Sequence, residues 1–95
     1  MPAYLISQIE VRDPEGYEEY RKLVGASLVK YGGKFIARGG RIDVLEGTWN
    51  PKRVVICEFD SLERARQWYE SPEYRPAMTI RQRTSEANII VVDGI

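Results

Sequence analysis

The sequence predicts an α+β fold: an antiparallel sheet of four strands with two main helices on one face, dimerising through the other face into an α/β barrel. Three observations lead there. Hydrophobic periodicity runs along the chain as strand, helix, strand, strand, helix, strand. The segment Arg53-Val-Val-Ile-Cys-Glu-Phe59 is apolar on both parities, so both of its faces need cover. The chain has only 95 residues, which makes one domain, 1–95. A chain of that size buries only roughly 60–65% of its unfolded surface and gains from association.

Each element has a local reason. Residues 3–12 form a strand with Leu5, Ile9 and Val11 on one parity and Tyr4 and Ile6 on the other. Asp13-Pro14-Glu15 starts a helix: Asp13 caps, Pro14 suits the first position, and Glu15 complements the positive end of the dipole. Tyr17, Tyr20, Val24, Leu28 and Tyr31 then recur at spacings of three or four as one apolar stripe, with Glu18 and Lys22 four apart on the wet side. Gly32-Gly33 stops the helix. Lys34–Arg38 is a short strand, and Arg41–Glu46 resumes it after Gly39-Gly40 either as a kinked strand or beyond a turn. A loop rich in Gly, Asn and Pro leads to the strand Arg53–Phe59.

Ser61 caps a second helix carrying Leu62, Ala65, Trp68 and Tyr69. Ser71-Pro72 makes a short turn, because Pro76 cannot continue the helical ladder, and a further helical stretch spans about 76–86. Residues 88–93 close the chain as a strand with the run Ile89-Ile-Val-Val92. Two strand-helix-strand crossovers around a central hairpin give a ferredoxin-like sheet. A two-fold partner is the simplest cover for its second face.

Composition narrows the chemistry. Fourteen basic and fourteen acidic residues cancel, so no field of one sign steers a polyanion, and nucleic acid is not an expected partner. No segment approaches the roughly 20 apolar residues of a membrane span, and the N-terminal residues lack a signal-peptide pattern. The expected location is the cytoplasm, with no membrane partner. The absence of histidine removes Ser-His-Asp and Cys-His arrangements, and with a single cysteine it removes a structural zinc site within one chain. No metal and no cofactor are expected.

The stretches Ile36-Ala-Arg-Gly-Gly40, Val44-Leu-Glu-Gly47, Arg53-Val-Val-Ile56, Glu58-Phe59-Asp60-Ser61 and Trp68-Tyr-Glu-Ser-Pro-Glu-Tyr74 resemble the domain-of-unknown-function 1330 family, as do Arg81 and the closing Val92-Asp93-Gly94. That family sits in the dimeric α/β-barrel superfamily. The resemblance implies the fold and a homodimer but no activity. The wider superfamily includes cofactor-free monooxygenases, lactone isomerases, stress-responsive barrel proteins and haem-binding members. The last use a histidine ligand that this chain lacks. Analogy at the level of fold is a weak warrant for function.

The candidate pocket residues are Tyr4, Arg38, Glu58, Trp68, Tyr69, Tyr74 and Arg81, each with a packing alternative. Tyr4 offers a hydroxyl at a cavity or packs with that hydroxyl at the rim. Arg38, Arg53 and Arg81 offer planar forks for a carboxylate or phosphate, or pair with Glu46, Glu58 or Asp60. Glu58 lies on the apolar parity of Val54 and Ile56, where a carboxylate is either paired or held protonated, and Glu46 is a possible second carboxylate across the hairpin. Trp68, Tyr69 and Tyr74 wall a flat ligand or form core. Tyr74 follows a proline turn, which favours exposure and makes it the best ligand contact of the three. Cys57 reads as an inert buried thiol. Gly39-Gly40 matches no phosphate loop.

The sequence supports a small dimeric protein that binds a partly apolar metabolite, with an anionic group on it as one option and catalysis without a cofactor as another. A non-catalytic dimeric scaffold is the alternative. Cavity volume separates the two, since ligand pockets usually measure about 300–1,000 Å³.

Overall fold

Alternation of side chains along the first strand sets the architecture. The computed structural model describes residues Met1–Ile95. In β1 (Ala3–Val11) the odd positions Ala3, Leu5, Ser7 and Ile9 are buried, while Tyr4, Ile6 and Gln8 are only half-buried. β1 occupies the centre of a four-stranded antiparallel sheet of order β2-β3-β1-β4, formed with β2 (Lys34–Arg38), β3 (Arg53–Phe59) and β4 (Ser85–Asp93). The register aligns Leu5 with Cys57 and Val91, and Ser7 with Val55 and Ile89, so their side chains share one face. Ile6, Ile56 and Ile90 align on the opposite face.

Three helices cover the first face: α1 (Pro14–Lys30), α2 (Leu62–Tyr69) and α3 (Arg75–Thr84). Tyr17, Tyr20, Val24 and Leu28 of α1, Ala65 and Trp68 of α2, and Ala77 of α3 join Leu5, Ile9, Val55, Cys57 and Phe59 in one core. The ends of the helices follow the sequence signals. Asp13 Oδ1 accepts from the Gly16 amide at 3.2 Å, and Ser61 Oγ accepts from the Arg64 amide at 3.0 Å. Gly32 takes φ of +77°, and the Gly33 amide closes on the Leu28 carbonyl at 2.9 Å. On the wet side of α1, Glu18 pairs with Arg21 at 2.9 Å.

Ser71 makes the joint between α2 and α3. Its hydroxyl donates to the Trp68 carbonyl at 2.7 Å and accepts from the Tyr74 amide at 3.1 Å, while Pro76 sits in the first turn of α3. Lys30 Nζ and Tyr31 Oη hold the Glu73 carboxylate at 2.7 and 2.8 Å, which fastens the end of α1 to the same joint.

Two expectations are corrected. Residues 41–46 form no strand. The Gly39 amide ends the β2–β3 ladder on the Val54 carbonyl at 3.0 Å, after a register shift between Phe35 and Ala37, and 39–52 then runs as an exposed loop. The left-handed Gly39, at φ of +68°, follows the end of that ladder, and the residues after it pair with no strand; Leu45 and Trp49 are exposed. The last strand begins at Ser85, three residues before the predicted start at 88, and α3 ends at Thr84. The cause is long-range pairing: β1 is long enough to align Val11 with Ser85, and the Arg12 and Asp13 amides both reach the Thr84 carbonyl, at 2.9 and 3.0 Å.

The placement of Val55 beneath α1 makes a direct test. Val55→Asp sets a carboxylate among apolar side chains and is expected to lower the unfolding free energy by about 3 kcal/mol or more, read as the midpoint of urea unfolding. An unchanged midpoint would show that Val55 does not face the core.

Candidate functional site

Beneath the junction of α1, α2 and α3 lies a cluster of buried polar and aromatic groups. The Tyr74 side chain is fully enclosed, and its ring stacks on Trp68 with centroids 4.0 Å apart. Its hydroxyl shares a hydrogen bond of 3.0 Å with the Tyr20 hydroxyl and accepts from Arg81 Nε at 3.2 Å. Trp68 Nε1 donates to Ser27 Oγ at 3.0 Å, and Ser27 in turn donates to the Val24 carbonyl at 2.8 Å. Arg81 is 4% exposed, yet none of the four ion pairs in the molecule involves it. A guanidinium is permanently charged, and here its hydrogen-bonding partner is a neutral phenol. Burial keeps both phenols protonated: it pushes the Tyr20 and Tyr74 hydroxyls above the usual tyrosine range, against the opposing charge of Arg81.

Arg81 borders a groove along the edge strand β4. At one end a cavity of about 360 Å³ is lined mostly by apolar groups, among them Leu5, Ala65, Ile89 and Val91. At the other end a cleft of about 380 Å³ is lined by Arg81, Gln82, Ser85 and Asn88. Tyr69 and Ile89 line both, so one half-buried tyrosine stands between an apolar end and a polar end.

The candidates from the sequence do not converge on one place. Tyr69 and Arg81 line the groove, and Trp68 and Tyr74 pack behind them as core. Tyr74 is the main correction: the turn after Pro72 does not expose it, because Ser71 turns the chain inward and Trp68 and Tyr20 close around the ring. Tyr4 and Glu58 stand opposite one another on the open face of the sheet, away from the helices. Glu58 has Lys34 across the ladder at 4.0 Å, while Glu46 remains exposed in the 39–52 loop and supplies no second carboxylate to the ladder. Arg38 lies over the Phe35 ring at 4.2 Å and Arg53 over the Tyr17 ring at 5.9 Å. The expected pairing of Arg38, Arg53 and Arg81 with acids is not found, since no ion pair includes any of them. Cys57 is buried, and burial raises its thiol to about 11 against the opposing charge of Arg38.

Tyr20 and Ser27 complete the cluster and were read from the sequence only as part of a helix, Tyr20 within its apolar stripe. The available signal was chemical: a buried tyrosine or serine carries a hydroxyl that needs a partner, where leucine would not.

This sheet order with helices on one face is a ferredoxin-like α+β fold. The chain belongs to the family described as "Domain of unknown function (DUF1330)", whose pattern matches residues 2–95. Among solved structures it is similar to a protein of unknown function from Rhodopseudomonas palustris, with 21% identity and a TM-score of 0.80, covering 99% of this chain and 82% of that one. It is also similar to a dimeric ferredoxin-like protein of unknown function from Jannaschia sp. CCS1, with 10% identity and a TM-score of 0.79, covering 99% and 100%. SnoaB, a cofactor-independent oxygenase from Streptomyces nogalater, shares 15% identity at a TM-score of 0.71, covering 99% and 93%. At these identities the likeness is one of fold. No curated protein matches the sequence.

The raised phenols set a pH dependence. A group whose folded pKa lies above its unfolded value, about 10 for tyrosine, stabilises the fold fully below that value and loses its contribution as pH rises above it. Thermal melts are expected to show stability falling from about pH 10 upward, with Tyr20→Phe losing less over that range than the wild type. An identical alkaline loss in both proteins would place the Tyr20 hydroxyl in water.

Proposed function

We propose that the protein acts as a single domain that binds a small elongated acid, apolar at one end and carboxylated at the other, in the groove beneath α2 and α3. The observation that carries this reading is the buried Arg81 cation, which has no acidic partner and borders the polar end of that groove. A guanidinium whose Nε is held by Tyr74 keeps its remaining N–H donors for a planar carboxylate. The apolar cavity beyond Tyr69, at about 360 Å³, lies within the usual range for small-molecule sites.

The same reading includes a homodimer formed through the open face of the sheet. Ile6, Val54 and Ile56 are half-buried there, and Ile90 and Val92 are 61% and 45% exposed. Such a patch, rimmed by Lys34, Glu58 and Asn88, has the make-up of an association surface. The similar protein from Jannaschia sp. CCS1 is described as dimeric.

A catalytic form of this reading follows from the Tyr20–Tyr74–Arg81 chain. A fixed cation backed by protonated phenols would stabilise an oxyanion developing on a bound substrate, with the substrate supplying its own reactivity. The likeness to a cofactor-independent oxygenase accords with such chemistry.

Native mass spectrometry of the freshly purified protein, followed by fluorescence titration with aryl- and alkyl-carboxylic acids, tests the reading. Saturable binding is expected, with affinity reduced about tenfold or more both by Arg81→Gln and by replacing the acid with its neutral amide. Equal affinity for acid and amide, or no binder at all, would overturn it and favour the non-catalytic scaffold.

A further inference from the structure

On the far side of the core, between α1 and strands β2 and β3, three arginines border a small, partly open cavity that no acidic residue lines. Arg21, Arg38 and Arg53 border it together with the buried Ser7 and the Tyr17 ring. Arg21 is paired with Glu18 at 2.9 Å, whereas Arg38 and Arg53 have no ion pair. Arg38 is aligned with Val55, two residues from Arg53 on the neighbouring strand. That diagonal relation on one face spans about 7–8 Å between backbones, within reach of both side chains. An anion held between two such like charges would be attracted by both.

Arg53 carries the clearest sign. Its Nε is buried and is the sole buried side-chain nitrogen or oxygen in the molecule with no hydrogen-bond partner. A buried donor left unmade costs roughly 1–3 kcal/mol, more when charged, so its retention needs a reason. The backbone is shaped around the guanidinium as well. Gly39 takes φ of +68°, and a Cβ there would come within 2.7 Å of Arg53 Cζ. Glycine at 39 thus leaves the space in which the guanidinium lies, and Gly39-Gly40, which matched no phosphate loop, has a local purpose.

We propose that Arg38 and Arg53 form a carboxylate-binding site distinct from the groove at Arg81. The space within the cavity is about 30 Å³, room for a small group of one or two oxygen atoms. A carboxylate presents two coplanar oxygens, which suits the planar arginine fork. The rest of the acid lies outward, toward the exposed 39–52 loop.

The test uses the intact protein and the NMR resonances of arginine Nε–H groups, titrated with sodium propionate, sodium phosphate and sodium chloride at matched ionic strength. Propionate is expected to shift the Arg53 Nε–H signal saturably. Arg38→Gln, read at the Arg53 Nε–H, and Arg53→Gln, read at the Arg38 Nε–H, are each expected to weaken that binding about tenfold or more. Arg81→Gln and Arg12→Gln should leave it unchanged, which separates this site from the groove. A shift that chloride reproduces, or one lost in Arg81→Gln and kept in Arg38→Gln, would overturn the proposal. Tighter binding of phosphate than of propionate would overturn the carboxylate assignment. Should Arg53→Gln fail to fold, the wild-type titration decides alone.

Discussion

The structure depends on one constraint: two neighbouring strands, β1 and β3, have apolar side chains on both faces, and the chain's own helices cover only one of them. On the first face the three helices do this through a core built around Leu5, Cys57, Phe59, Trp68 and Leu28. On the second face, Ile6 and Ile56 meet directly across the ladder and are only half-buried. Burying apolar area contributes about 25 cal/mol per Å², so such a face favours a second surface of the same kind. A net charge of zero puts little repulsion in the way.

Placing a charged group inside the first layer is the costly feature of the fold. A buried cation is tolerated when hydrogen-bonded and neutralised. Arg81 has the hydrogen bond, through Tyr74, and Tyr20 extends it, but no carboxylate neutralises it. Arg53 has neither at its buried Nε. The two arginines stand on opposite flanks of the Tyr20–Trp68 core, each beside a cavity. Stability alone would favour apolar side chains at both positions, and the two proposed ligand sites would account for the charges placed there.

Much of the fold was legible in the sequence, because its signals are local. Asp13-Pro14-Glu15, Gly32-Gly33 and Ser61 mark their helix ends by hydrogen bonds within a few residues. The parity of Arg53–Phe59 correctly separates Val55 from Ile56. What stayed hidden depends on distant partners. The early start of β4 follows from β1, more than 70 residues away, and residues 41–46 lack a strand because the β2–β3 ladder ends at Gly39, on the Val54 carbonyl. The burial of Tyr74 needs Tyr20, 54 residues earlier, to close over it. For the arginines the sequence leaves two readings, ligand forks or partners of acids, because composition supplies equal numbers of each sign but does not say which meet.

The cover of the second face is tested most directly by sedimentation velocity at micromolar concentration on the wild type and on Ile56→Asp. The wild type should sediment as two copies. Ile56→Asp should sediment as one copy with an unchanged far-ultraviolet circular dichroism spectrum, since the charge falls on the face outside the helical core. A wild type that persists as a single copy at that concentration would mean the open face needs no partner, and the barrel would not form.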